Sequence, residues 1–193
     1  HLDCARLQWV IQNFCTVGFN SIGYDLPITT LALAGKDTDI LKSSTNEIIQ
    51  NGVQGSEVLK LYKVKKLRNT DGKALNHIDL IEVAPLQASL KIYAGRMHSP
   101  RMQDLPFNSE VELSEDQITC TRWYCVNDLS NTARLHGTLD EQIKLRERMS
   151  IEYNVDLRSK SDAQVAESVI ASEITALNRG VRPQRPEISV GTW

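Results

Sequence analysis

Apolar and polar residues recur along this chain at helical spacing over most of its length and bunch into short apolar runs at two places. From His1 to Phe14, the positions of Leu2, Leu7, Trp9, Val10, Ile11 and Phe14 predict a helix. It feeds an apolar-rich run, Cys15 to Phe19, that predicts a short buried strand. Gly23 allows a sharp bend after that strand. Pro27 suits a first helical turn, and Leu26 to Leu33 continues as a helix that stops at Gly35. Ser44-Thr45-Asn46-Glu47 has the form of a capping box and predicts a short helix ending at Gly52. His77 to Val83, rich in Ile, Leu and Val, predicts a second buried strand broken by Pro85. Ser89 to Arg96 predicts a short helix with Leu90 and Tyr93 facing inward.

Two further capping boxes follow, Ser114 with Gln117 and Ser161 with Gln164. The first opens a long helical region through Ile118, Trp123, Tyr124 and Leu129, then Leu135, Leu139 and Ile143. A break is expected near His136-Gly137, because glycine weakens a helix interior. The second opens a helix with Ala166, Ile170, Ile174 and Leu177 on one face, ended by Gly180. Arg182-Pro183-Gln184-Arg185-Pro186 then reads as an extended linker. Strands interleaved with helices predict an α/β fold with one substantial core.

This pattern places two groups of polar residues. Asp25 falls where a strand gives way to a helix, a usual place for a functional group in an α/β sheet. Tyr124 and Asp128 are four apart and share a helix face. Asn20-x-x-x-Tyr24-Asp25 and Tyr124-x-x-x-Asp128, in this order, match the second and third motifs of the DEDD exonucleases, in the branch with a tyrosine in the third motif. The surrounding text also resembles the proofreading domain of bacteriophage family A DNA polymerases. The supporting phrases are His77-Ile78-Asp79-Leu80-Ile81-Glu82-Val83, Ala88-Ser89-Leu90-Lys91 and Asp156-Leu157-Arg158-Ser159-Lys160-Ser161-Asp162-Ala163-Gln164. The family's first motif, Asp-x-Glu, occurs nowhere in the chain. The chain is therefore expected to be a fragment whose first strands, and two of four catalytic carboxylates, lie outside it.

The resemblance implies a ribonuclease H-like exonuclease fold, with helices flanking a mixed sheet that lacks its first strands. It implies a domain over 1–157, a C-terminal helix over 158–180, and a linker over 181–193 toward a polymerase domain in the same polypeptide. The implied activity is two-metal-ion 3′–5′ hydrolysis at the 3′ end of single-stranded DNA. Asp25 and Asp128 would hold the metal, as Mg2+ or Mn2+, with two ions in a complete domain. Tyr124 would orient the attacking water, and Asn20 and Tyr24 would touch the terminal nucleotide. Two rival readings stand beside it: a free-standing exonuclease of repair or RNA processing, and a nucleic-acid-binding domain that keeps the fold without catalysis.

Composition changes this picture only locally. With 22 basic and 24 acidic residues the formal charge is −2, so a nucleic-acid surface has to be a local patch. Lys60, Lys63, Lys65, Lys66, Arg68 and Lys73 make one such cluster. It is either a solvated face or a rim that tracks phosphates, with Lys63, Lys65 and Lys66 as substrate contacts. Asp79 lies within the second strand and must find a partner or a metal; it is read as structural first, and His77 likewise. Cys4, Cys15, Cys120 and Cys125 lack zinc spacing and are expected to be reduced and buried. With no long apolar run, no membrane segment is expected, and the location expected is cytoplasmic.

Overall fold

The computed structural model describes residues 3–108 and 110–182. The order of elements is α1 (Cys4–Asn13), β1 (Thr16–Gly18), α2 (Asp25–Leu33), α3 (Thr38–Ile49), α4 (Gly55–Leu61), β2 (His77–Asp79), α5 (Leu90–Arg96), α6 (Glu115–Thr138), α7 (Asp140–Glu152) and α8 (Asp162–Leu177). The start of the expected first helix, at His1 and Leu2, and the linker from Pro183 onward lie outside the described residues. None of the described helices is long and apolar enough to cross a membrane.

The two predicted strands are neighbours. β1 and β2 pair in parallel, with Thr16 opposite His77, Val17 opposite Ile78 and Gly18 opposite Asp79. The expected mixed sheet is not what the described residues form: their sheet is two-stranded and parallel. Both strands are also shorter than the apolar runs that predicted them. After Asp79, the Leu80 N–H still reaches the Gly18 carbonyl at 2.9 Å. The next residue leaves the ladder because its N–H turns back onto the Asp79 carboxylate. Leu80 and Ala84 then close a turn in place of the expected strand end.

Helix termini follow the chemistry of their caps. Ser114 and Ser161 each form a complete capping box with Gln117 and Gln164. The third expected box is not used. Asp37 starts α3 earlier by accepting the Ile40 N–H, and Ser44 faces inward and is buried in the middle of that helix. The long helical region divides at Leu139, just past the expected break, where the backbone opens while the side chain stays buried. Apolar residues before that point are less buried than their spacing suggests: Trp123 and Leu129 are exposed, and α6 buries Asn131 and Leu135. All four cysteines are free, as expected, but exposed rather than buried: Cys4 opens α1, Cys15 lies between α1 and β1, and Cys120 and Cys125 are on outward faces of α6.

Among the described residues the core has two parts. Ile78, Leu80, Val83, Tyr93, Leu135, Leu139 and Ile143 pack beneath the sheet, joined by Phe19. Leu31, Val58 and Leu59 form a second cluster among α2, α3 and α4. A close approach holds the second cluster in place. A Cβ built on Gly55 would lie 2.4 Å from the Pro27 ring and 2.6 Å from the Gly23 carbonyl oxygen, so only glycine lets α4 reach α2 there. At the other end of the chain, the buried Arg146 of α7 donates to the Lys160 carbonyl and to the Asp162 carboxylate, which fixes the start of α8. Gly55→Ala is expected to destabilise the fold by about 1–3 kcal/mol, the usual cost of overpacking. Urea unfolding measures it, and an unchanged midpoint would mean that α2 and α4 separate freely.

Candidate functional site

The turn between β1 and α2 is held by one carboxylate. Asp79, at the end of β2 and only 2% exposed, accepts the backbone N–H groups of Asn20 at 2.7 Å, Ile22 at 2.8 Å and Ile81 at 3.2 Å. Its own N–H goes to the Ser159 hydroxyl. A buried carboxylate is tolerable when donors surround it. Asn20 takes the left-handed backbone region, with φ of 56°, which asparagine adopts more readily than most residues. Its carbonyl accepts the Tyr24 N–H, and the Ser21 carbonyl accepts the Leu26 N–H, so the turn runs directly into α2. His77 ties the same turn from the side. One ring nitrogen meets the Thr16 hydroxyl at 2.8 Å and the other the Ser21 hydroxyl at 2.7 Å. Burial keeps His77 below its ordinary pKa, with Asp79 raising it and Arg158 lowering it further.

Asp25 is the first residue of α2. Its side chain is open at the surface, yet the surrounding chain is dense enough to raise its carboxyl above the usual range. Its own backbone N–H opposes that rise, and the Asp79 charge adds to it. Tyr24 turns toward α3, with its hydroxyl 3.4 Å from that of Thr45. Asn20 opens onto a cleft of about 870 Å³, whose walls include Ile22, Gly23, Pro27, Gly55, Lys66 and Arg68. Of the three lysines expected to touch substrate, Lys66 lines this cleft. Lys63 and Lys65 are exposed outside it.

Tyr124 and Asp128 are together, as their spacing on α6 requires. They line a smaller pocket of about 410 Å³ with Ser89, Lys91, Asp104 and Asn131. Burial, then a hydrogen bond to Asp128 and that residue's charge, push the Tyr124 phenol up to about 12; the thiol of Cys125 and the carboxylate of Asp104 add smaller contributions. At neutral pH Tyr124 is therefore a hydrogen-bond donor and not a base. Asp25 does not line this pocket. Its charged neighbour is Asp79, while those of Tyr124 are Asp128 and Asp104.

Among the described residues, no group of three or more His, Cys, Asp or Glu side chains is placed to hold a metal ion. The residues explain why. Asp79 brings a second carboxylate near Asp25, but both its oxygens are already occupied by N–H groups. Asp104 brings a second one near Tyr124 and Asp128, but it is paired with Lys91. A hard divalent ion needs about six oxygen ligands. Among the described residues the donor set does not by itself fit a two-ion centre. What sequence reasoning missed here is the turn-holding role of Asp79 and the pairing of Lys91, quoted only within a resembling phrase, with Asp104 beside Tyr124. The burial of Asp79 was legible in its apolar strand, whereas nothing in the sequence joins a lysine on a helix to an aspartate in a later loop.

Removing the Asp79 carboxylate leaves three N–H groups without their acceptor. Asp79→Ala is expected to cost about 3 kcal/mol or more. Asp25→Asn should do the opposite. A carboxyl whose native pKa is raised is disfavoured by folding in its charged form, so stability from this group grows as pH falls through the native value. The amide should leave stability at pH 7 unchanged within about 0.5 kcal/mol, or improve it. Chemical unfolding of the two variants checks both signs.

For Tyr124 the raised value favours the protonated phenol. That stabilisation is complete below a pH of roughly 10 and is lost as pH rises through about 12. Difference absorbance between wild type and Tyr124→Phe should show one phenol titrating near 12, and a step near 10 would contradict the geometry. No family model matches this chain, and neither a curated protein nor a solved structure matches it.

Proposed function

We propose that this chain is the part of a 3′–5′ exonuclease domain that receives the 3′ end of a single DNA strand, of the kind that proofreads for a phage-type DNA polymerase. The observation that carries the reading is that α6, with Tyr124 and Asp128, packs against β1, the strand that leads into Asn20 and Asp25. The helix that carries the second motif therefore touches the strand that precedes the first. A parallel strand pair, with an acidic residue opening the helix after the first strand, is also what a ribonuclease H-like fold would contribute here.

In this reading Asn20 meets the terminal nucleotide, Tyr24 braces the turn against α3 through Thr45, and Lys66 and Arg68 attract the preceding phosphates. Lys63 and Lys65 extend that attraction outward as solvated charge. Tyr124, a phenol throughout the physiological range, orients a water or a phosphate oxygen by donating a hydrogen bond. Asp128 holds that phenol and offers hard oxygens. Mg2+ or Mn2+, when bound in a complete domain, would supply an activated water and neutralise the leaving oxygen. The carboxylates of this chain are too few for that alone, and the domain would draw the rest from an Asp-x-Glu strand. The same shortage favours one alternative, a domain that binds single strands without cutting them.

The test joins this chain to a strand bearing Asp-x-Glu and follows a single-stranded DNA labelled at its 3′ end, in magnesium or manganese. Label should be released from the 3′ end. Asp128→Ala should slow release by about 100-fold or more, and Tyr124→Phe by less, since the latter removes one oriented hydrogen bond. Equal rates for wild type and Asp128→Ala would overturn the reading. Tight binding with no release, in every form, would select the silent alternative.

A further inference from the structure

The pocket of Tyr124 and Asp128 holds a cation that the exonuclease motifs do not include. Lys91 lies in the first turn of α5, and Asp104 lies in the loop beyond that helix. Both line the pocket, and their side chains are ion-paired. Among the described residues lining it, Lys91 is the one cation, facing the carboxylates of Asp104 and Asp128. An anion approaching the Tyr124 hydroxyl thus meets two negative charges, and Lys91 alone offsets them.

The Lys91 side chain is 48% exposed and that of Asp104 is 89% exposed. A pair so open to water is weak and easily exchanged. A lysine ammonium, a compact charge on a flexible stem, can move from a carboxylate to a nearby phosphate without a change of backbone. Asp104 also lies close enough to Tyr124 for its charge to reach the phenol. Where the lysine points therefore alters the field at the very group that would meet the substrate.

We propose that Lys91 binds a backbone phosphate of the single strand whose 3′ end reaches Tyr124 and Asp128, and that Asp104 competes with that phosphate for the lysine. This inference rests on the exonuclease reading above. It assigns Lys91 a positioning role and makes Asp104 an internal competitor that weakens binding. A purely structural pair would behave differently, because breaking it from either side would loosen the same loop.

The experiment uses the whole chain and a fluorescein-labelled oligothymidylate, with anisotropy read at several salt concentrations. Lys91→Gln should weaken binding about 5-fold and make the salt dependence shallower by about 0.7 in slope, the share of one phosphate on a single strand. Lys91→Arg should bind like wild type. Asp104→Asn should bind more tightly, by about 2-fold to 5-fold, because the lysine is released. Thermal melting of the variants should match wild type, since the pair is exposed. Opposite signs for Lys91→Gln and Asp104→Asn support the proposal. Changes of the same sign, or none, overturn it and leave the exonuclease reading standing. A wild-type chain that does not bind the oligonucleotide at all overturns both.

Discussion

A single buried carboxylate organises the end of the sheet. Asp79 terminates β2, yet its oxygens serve the opposite strand, accepting N–H groups from the turn that follows β1 and one from its own continuation. Peptide N–H groups at a tight turn have no partner in the ladder, and burying them unpaired is costly. A carboxylate satisfies several at once, and charge-assisted bonds of this kind are stronger than those between neutral groups. Without it Asn20 would have little reason to remain in its left-handed conformation, and α2 would lose its defined starting point. The position of Asp25 is thus set by a residue that offers no chemistry of its own.

How far the sequence revealed this depends on the range of the interaction. Local signals were reliable. The boxes at Ser114 and Ser161, the stop at Gly35 and the helix from Ser89 rest on contacts within one turn of helix, and they are present. Ser44 shows where such reasoning fails: an equally good local pattern lost to Asp37 and to the burial of the serine against neighbouring helices. The neighbouring strands were foreseeable from two apolar runs, but their lengths were not, because Asp79 pulls the second away from the ladder. At the site, spacing alone put Tyr124 beside Asp128. It could not put Asp25 beside Asp79, or Lys91 beside Asp104, since those pairings depend on tertiary packing.

The acidic groups divide between two environments. Near Asp25, burial among the surrounding chain pushes the carboxyl toward its neutral form, and the charge of the locked Asp79 carboxylate adds to that push. Near Tyr124 the negative groups are more exposed, one of them is paired with a lysine, and the effect falls on a phenol instead. At the first region a proton is favoured on the carboxyl itself, while Lys66 and Arg68 of the adjoining cleft supply positive charge. The second can accommodate an anion by rearranging one side chain.

The contact at Gly55 carries one more implication. It sets a helix backbone directly against the Pro27 ring and the Gly23 carbonyl, with no side chain between them that could change rotamer. The spacing of α4 from the turn before Asp25 is therefore set by backbone and ring contacts, which have no rotamer to relax into. The large cleft opens among these same residues. The joint and the cleft thus share their walls, so a substitution that widens one reshapes the other and the start of α2 with it.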